Sequence, residues 1–175
     1  RVGVMPLGGP ASAIGWVDVD PCYVFHGTNA YRDGQRVVLD VCRLPSVFKD
    51  GGDLEPSATH RWTVDLSGAS PTLDDTPLDD TQMDLPGIDR RFVGRPYRYG
   101  WYAAVEQNGD YGFEFAPRGP DESDGWLLCF AYDRTRDASD VVVLDAMDVA
   151  AGPVARIKLP SRVPYGFHGW WVADA

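Results

Sequence analysis

Apolar residues along the chain fall in short runs rich in β-branched and aromatic side chains, at 14–19, 22–30, 37–42, 61–66, 97–105, 126–132, 141–144 and 154–159. Runs of this length and composition predict β-strands. Turn sequences punctuate them. Arg32-Asp33-Gly34-Gln35 places an Asp-Gly pair between two runs, the dipeptide that suits a tight hairpin because glycine accepts left-handed backbone. Asp50-Gly51-Gly52-Asp53 and Gln107-Asn108-Gly109-Asp110 read as wider loops. Such links predict antiparallel pairing. A helical period shows only over 146–151, where Asp145 or Asp148 is placed to cap a single turn. The stretch 74–84, with Asp at 74, 75, 79, 80 and 84, reads as a solvated loop. The expectation is an all-β protein with little helix. A sandwich, a barrel and a propeller all accommodate it, and no repeat of about 40–45 residues selects among them.

Composition narrows the partners more than the fold. A chain of 175 residues allows one domain, and 44% hydrophobic content supplies a packed core, which excludes general disorder. Twenty-six acidic against sixteen basic side chains leave a net charge of -10, so phosphate backbones are repelled and nucleic acid is excluded as a partner. No apolar run approaches the roughly 20 residues of a membrane helix, and the first residues show neither the basic nor the apolar region of an export signal. Cys22, Cys42 and Cys129 are an odd number without CxxC spacing, which reads as buried thiols in a reducing cytoplasm rather than disulfides or zinc ligands. The sequence starts at Arg1 and enters a strand pattern at once, the look of a fragment.

Candidate chemistry centres on three histidines. His26 in Phe25-His26-Gly27 and His168 in Phe167-His168-Gly169 share a setting, with an aromatic before and a backbone-permissive glycine after. Imidazole is the commonest neutral ligand of first-row metals, the aromatic excludes water and the glycine permits close approach. The same doublet also fits two core or loop histidines satisfied by hydrogen bonds. His60, between Thr59 and Arg61, reads as a surface residue at a strand start. There is no Gly-x-Ser-x-Gly elbow, no cysteine beside a histidine and no glycine-rich phosphate loop, so nucleophilic and nucleotide chemistry lack a local signature. Asp79 and Asp80 form a carboxylate pair, but in a sequence that reads as solvated.

Four ordered blocks then carry a resemblance. Pro21-Cys22-Tyr23-Val24-Phe25-His26-Gly27-Thr28-Asn29-Ala30-Tyr31, with Val37-Val38-Leu39-Asp40 after it, resembles the FHxxNAY and VxLD block of the carotenoid cleavage oxygenases, a family that includes stilbene-cleaving members. Leu85-Pro86-Gly87-Ile88-Asp89-Arg90-Arg91-Phe92-Val93-Gly94-Arg95-Pro96-Tyr97-Arg98-Tyr99 is similar to its EFPxIDxRFxGRxYRY run. Asp121-Glu122-Ser123-Asp124-Gly125-Trp126-Leu127-Leu128 matches EDDGWLL, and Pro164-Tyr165-Gly166-Phe167-His168-Gly169 matches PxGFHG. The resemblance covers nearly the whole chain.

It implies the C-terminal part of a seven-bladed β-propeller, residues 1–175 being a fragment of that single domain without its N-terminal blades. It also implies one Fe(2+) per complete propeller, held by four histidines, with dioxygen cleaving a conjugated double bond of a carotenoid, apocarotenoid or stilbene to two carbonyls. His26 and His168 match the third and fourth ligands, and no protein general base is implied. The family's first two histidines precede anything in this chain, so the 175 residues alone are expected to be inactive. The family's outer glutamates accept hydrogen bonds from the ligand imidazoles. Asp84 stands at one such position, one methylene shorter, so its bond to an imidazole calls for a bridging water or a backbone shift. Near Tyr111-Gly112-Phe113-Glu114-Phe115-Ala116-Pro117-Arg118 two family blocks look fused, which puts Gly112 at another outer position and leaves Glu114 displaced from it, to be recovered only by a local slip of the strand. Glu122 reads as structural. Peripheral membrane contact is possible in the family, but no amphipathic patch supports it here. The alternative is a truncated or degenerate propeller remnant without a complete iron site, and a generic acidic β-sandwich would require the four blocks to be coincidence.

Overall fold

The computed structural model describes residues 1–47, 55–104, 113–164, 166 and 168–172. Two compact units divide the chain, one of Arg1–Asp84 with Val93–Pro96 and the other of Leu85–Phe92 with Tyr97–Ala175.

The first unit is built on four consecutive strands, β3 (Tyr23–Asp33), β4 (Arg36–Leu44), β5 (Ala58–Asp65) and β6 (Thr72–Asp79), which lie side by side in chain order. All pair antiparallel. The first link is the hairpin expected at Asp-Gly: Asp33 pairs with Arg36 across two residues, and Gly34 takes φ +59. Because β4 and β5 are interior, their apolar residues supply the core, with Val38, Val41, Cys42, Leu44, Trp62 and Val64 buried. Asp40 is buried among them at 1% exposure and lies opposite Arg61, whose Nε and Nη2 each donate at 2.8 Å to its carboxylate. Two shorter strands, β1 (Val2–Val4) and β2 (Gly15–Val17), pair with each other.

The chain passes between units within β7 (Met83–Gly87), which pairs with β8 (Trp101–Ala104). The second unit repeats the four-strand meander, with β9 (Phe113–Pro117), β10 (Gly125–Asp133), β11 (Ala138–Asp145) and β12 (Pro153–Lys158) in chain order. Phe115, Leu127 and Ala146 are its buried centre, with Trp101, Phe113 and Leu144 packed on them. Trp101 stacks on Phe115 with centroids 4.7 Å apart, and its indole N–H donates to the Ala146 carbonyl at 2.9 Å. Gly125 is required here, because a Cβ at this position would sit 2.4 Å from the Phe115 ring.

All eight expected runs contain strands, and helix is confined to single 3-10 turns at Ala11–Ala13, Arg90–Phe92 and Val149–Ala151 among the described residues. Asp148 stands at the N-cap of the last turn without a side-chain cap bond, and Asp145 instead accepts from the Met147 N–H at 2.9 Å. The acidic stretch departs from expectation. Its first half is β6, a strand rather than a loop, and Asp84 lies in β7. An edge strand tolerates Pro77 and outward carboxylates because one side of it faces water. β1 and β9 have too few residues for a period-2 signal. The two wider glycine loops, at 50–53 and 107–110, and Gly112 lie outside the described residues.

Candidate functional site

His26 owes its position to an irregular strand. In the β3–β4 ladder Val24 pairs with Arg43 and Gly27 with Val41, so Phe25 and His26 together oppose Cys42 alone; a second shift follows between Gly27 and Asn29. Such bulges put an extra residue in one strand and re-aim its side chains. His26 Nδ1 lies 2.8 Å from Asp84 Oδ1, with the two side chains 22% and 14% exposed. A carboxylate only accepts, so Nδ1 carries the proton and donates.

Asp84 is fixed from the preceding residue. The Met83 N–H donates to the Ser57 carbonyl at 3.2 Å, and the Ser57 hydroxyl donates back to the Met83 carbonyl at 2.5 Å. The next residue, Leu85, takes φ +52, a left-handed conformation uncommon outside glycine. The shorter aspartate therefore reaches the imidazole directly, without a bridging water, beside a locally turned backbone. Cys42 is fully buried, and burial foremost, then the nearby Asp84 carboxylate, pushes its thiol well above its ordinary range, so it stays an S–H.

Asn29, three residues beyond His26, is a structural pin that the sequence did not reveal. Its side-chain oxygen accepts from the Gly94 N–H at 3.0 Å and its amide donates to the Arg95 carbonyl at 3.1 Å, tying residues 93–96 to β3. Phe25, expected to shield the site, is 42% exposed and packs on Tyr23 with ring centroids 4.7 Å apart; Phe167 lies outside the described residues.

The second unit holds the other candidates. His168 is exposed, in irregular chain after β12. Glu114 on β9 accepts from Arg90 Nε at 2.8 Å and Nη2 at 3.1 Å. The same guanidinium lies 3.2 Å from the centroid of the Trp170 ring and 3.5 Å from the Gly169 carbonyl. Glu114 thus holds the residues next to His168 through Arg90. Glu122 accepts from the backbone N–H groups of Arg98 and Tyr99 at 2.6 and 2.8 Å, which makes it a loop brace.

His60 corrects the sequence reading. Its side chain is 14% exposed rather than on the surface, and its Nδ1 lies 2.6 Å from Asp75 Oδ1, with Arg43 Nε 3.5 Å from the same carboxylate. The signal was β6, which the acidic composition hid. Among the described residues no group of three or more His, Cys, Asp or Glu side chains forms a metal cage. What the described residues do supply is one imidazole oriented by a carboxylate, an arrangement that suits a metal ligand.

Comparison with known proteins follows the same outline. The family described as Retinal pigment epithelial membrane protein matches residues 1–114 and 113–173. A carotenoid cleavage oxygenase of Mycobacterium tuberculosis is 32% identical over 214 residues, covering 98% of this chain and 42% of the relative. An isoeugenol monooxygenase of Pseudomonas putida is 30% identical, covering 97% of this chain and 45% of the relative. The cobalt-substituted apocarotenoid oxygenase of Synechocystis matches in structure with a TM-score of 0.83 and 28% identity, over 98% of this chain and 43% of that one. The chain thus spans less than half the length of these relatives. The 214 aligned positions exceed its 175 residues, so the relative carries residues this chain lacks, and the two stretches of the family match meet at 113–114, where two blocks look fused in the sequence.

Proposed function

The chain belongs to the retinal pigment epithelial membrane protein family, and from that premise we propose that it is the C-terminal part of an Fe(2+)-dependent dioxygenase that cleaves a conjugated carbon–carbon double bond to two carbonyl products. Its two meanders serve as two blades of a seven-bladed propeller. The substrate is apolar and conjugated, a carotenoid, apocarotenoid or stilbene, and the isoeugenol-named relative extends the class to aryl alkenes. The observation that carries this reading is the His26–Asp84 pair, a carboxylate seated on Nδ1 of an imidazole as such acids orient metal-ligating histidines.

His26 and His168 are the metal ligands supplied by this chain. Asp84 orients the first. Glu114, through Arg90, steadies the segment bearing the second. The iron, when bound, supplies the activation of dioxygen. The protein supplies imidazole nitrogens, one of them oriented by a carboxylate, and it works in the cytoplasm. Two further imidazoles come from residues outside these 175, so the isolated chain is inactive.

The test compares the 175-residue chain with the protein extended to the length of its relatives. Both are loaded with Fe(II), and the cleavage of stilbene, isoeugenol and an apocarotenal in air is followed by the appearance of aldehydes. The extended protein is expected to bind iron and yield aldehydes, and His26→Ala or His168→Ala to lower its metal affinity by at least about 10–100-fold. An extended protein that stays iron-free, or metal binding indifferent to both substitutions, sinks the proposal. The first of these results favours a remnant, a reading motivated by the two family blocks that look fused in the sequence near 113–114, where the two stretches of the family match meet.

A further inference from the structure

We propose that Trp170 anchors the segment carrying His168, and that Arg90, held edge-on by Glu114, is the seat its ring needs; the two are positioning residues that act on the imidazole through the chain. Residues 168–172 belong to no strand or helix, so their placement is left to contacts outside any ladder. The Arg90 guanidinium carbon lies 3.2 Å from the centroid of the Trp170 ring, and Nη2 also reaches the Gly169 carbonyl at 3.5 Å. Beneath the ring, Nε and Nη2 donate to the two Glu114 oxygens at 2.8 and 3.1 Å. Gly169 itself runs against β9, where an added Cβ would stand 4.0 Å from the Glu114 Cβ. All of these groups belong to the second unit.

A guanidinium serves both partners at once, because its edge offers parallel N–H groups to a carboxylate while its flat face stacks on an aromatic ring. An ammonium has neither the fork nor the face. The base of the arrangement is fixed independently. Arg90 opens the short turn Arg90–Phe92, and its neighbour Arg91 is bonded to Asp89, which is 1% exposed. Arg91 also donates from Nη1 and Nη2 to the carbonyls of Gly119 and Asp121 at 2.8 and 3.1 Å. Position is therefore passed from a buried carboxylate, through the turn and the Arg90 guanidinium, to the two residues that follow His168. Trp170 is 70% exposed, so burial does little to hold its ring and the stacked cation is its seat.

The consequence for metal binding rests on the reading of His168 as a ligand; the anchoring itself does not. The test uses the protein extended to the length of its relatives and labelled with fluorotryptophan, the Trp170 fluorine signal being identified by its loss in Trp170→Leu. In the metal-free protein that signal is expected to move towards its unfolded position in Arg90→Met, which keeps the stem and removes the cation. Arg90→Lys is expected to move it as well, because an ammonium does not hold the carboxylate with two prongs and lie flat on the ring. Co(II) titration, followed by visible absorption, then reads the imidazole: Arg90→Met, Arg90→Lys and Trp170→Leu are each expected to weaken binding by about tenfold, the lower end for groups that orient a ligand. A fluorine signal unmoved in Arg90→Met overturns the proposal, as does an Arg90→Lys protein that matches the parent in both measurements. Parent-like Co(II) affinity in these variants overturns it too, provided His168→Ala has lost affinity, and Trp170→Leu, a change at an exposed ring, keeps that comparison open if Arg90→Met fails to fold. A His168→Ala protein with parent-like affinity overturns instead the ligand reading, and the fluorine signal alone then judges the anchor.

Discussion

Leu85 shows how finely the site is set at single residues. A left-handed φ of +52 puts its Cβ close to the following carbonyl, a cost of roughly 1–2 kcal/mol that glycine does not bear. Leu85→Gly is therefore expected to stabilise the chain by up to ~1 kcal/mol, glycine's own backbone entropy taking back part of the gain, as measured by urea unfolding. An unchanged or lower stability would mean that the lost leucine packing outweighs the strain. At this scale the sequence was partly legible. His26 and Asp84 stood in recognisable blocks, and the structure brings them together. His60 was hidden because its partner Asp75 lies on a strand that reads as a loop.

Individual strands gave the plainest reading. The centres of β4, β5, β10 and β11 follow from β-branched and aromatic runs, because interior strands need apolar side chains, and β3 and β12 carry such runs although they lie at sheet edges. β6 broke that rule, since an edge strand answers to its one covered face and to water on the other. Between strands, the Asp40–Arg61 pair makes a testable unit. Arg61→Met leaves a buried carboxylate without its guanidinium and is expected to destabilise the first unit by about 2 kcal/mol. That is less than the ~3–5 kcal/mol of a fully buried pair, because the Arg61 side chain is 37% exposed. The double change Asp40→Leu with Arg61→Met is expected to recover most of the loss, since no charge is then stranded. Thermal unfolding of the three variants decides it, and a double variant no better than the single one would refute the desolvation argument.

For the molecule as a whole, acidity is the governing property. Asp140, 2% exposed, is held by Arg156 and Arg136, whose hydrogen bonds and charges lower its pKa, the Arg156 bond most strongly. A carboxyl with a lowered folded pKa contributes its stability fully above the ordinary carboxylate range and loses it as pH falls through the lowered value. Asp133, lowered by bonds from Thr135 and Arg136, acts in the same sense. Stability is therefore expected to be flat from neutral pH down to about 5 and to fall below about 4. Solubility should be least near the pI of about 4.6, where the net charge of -10 has been titrated away. Melting temperature and turbidity across pH 3–8 report both, with Asp140→Asn flattening the acid limb; a limb unchanged by that substitution would remove Asp140 from the account. This charge balance was legible from composition alone. The repetition of a four-strand meander was not, because the two copies share no sequence period.

The two register shifts in β3 carry a kinetic consequence. Each interrupts the ladder, so the strand is continuously bonded from Asn29 to the hairpin at Asp33 but broken on either side of Gly27. Local opening follows the weakest ladder bonds, which places His26 in the half of the strand that breathes and Asn29 in the half that does not. Fluctuation of a few residues then opens the ladder beside the imidazole while the hairpin stays closed.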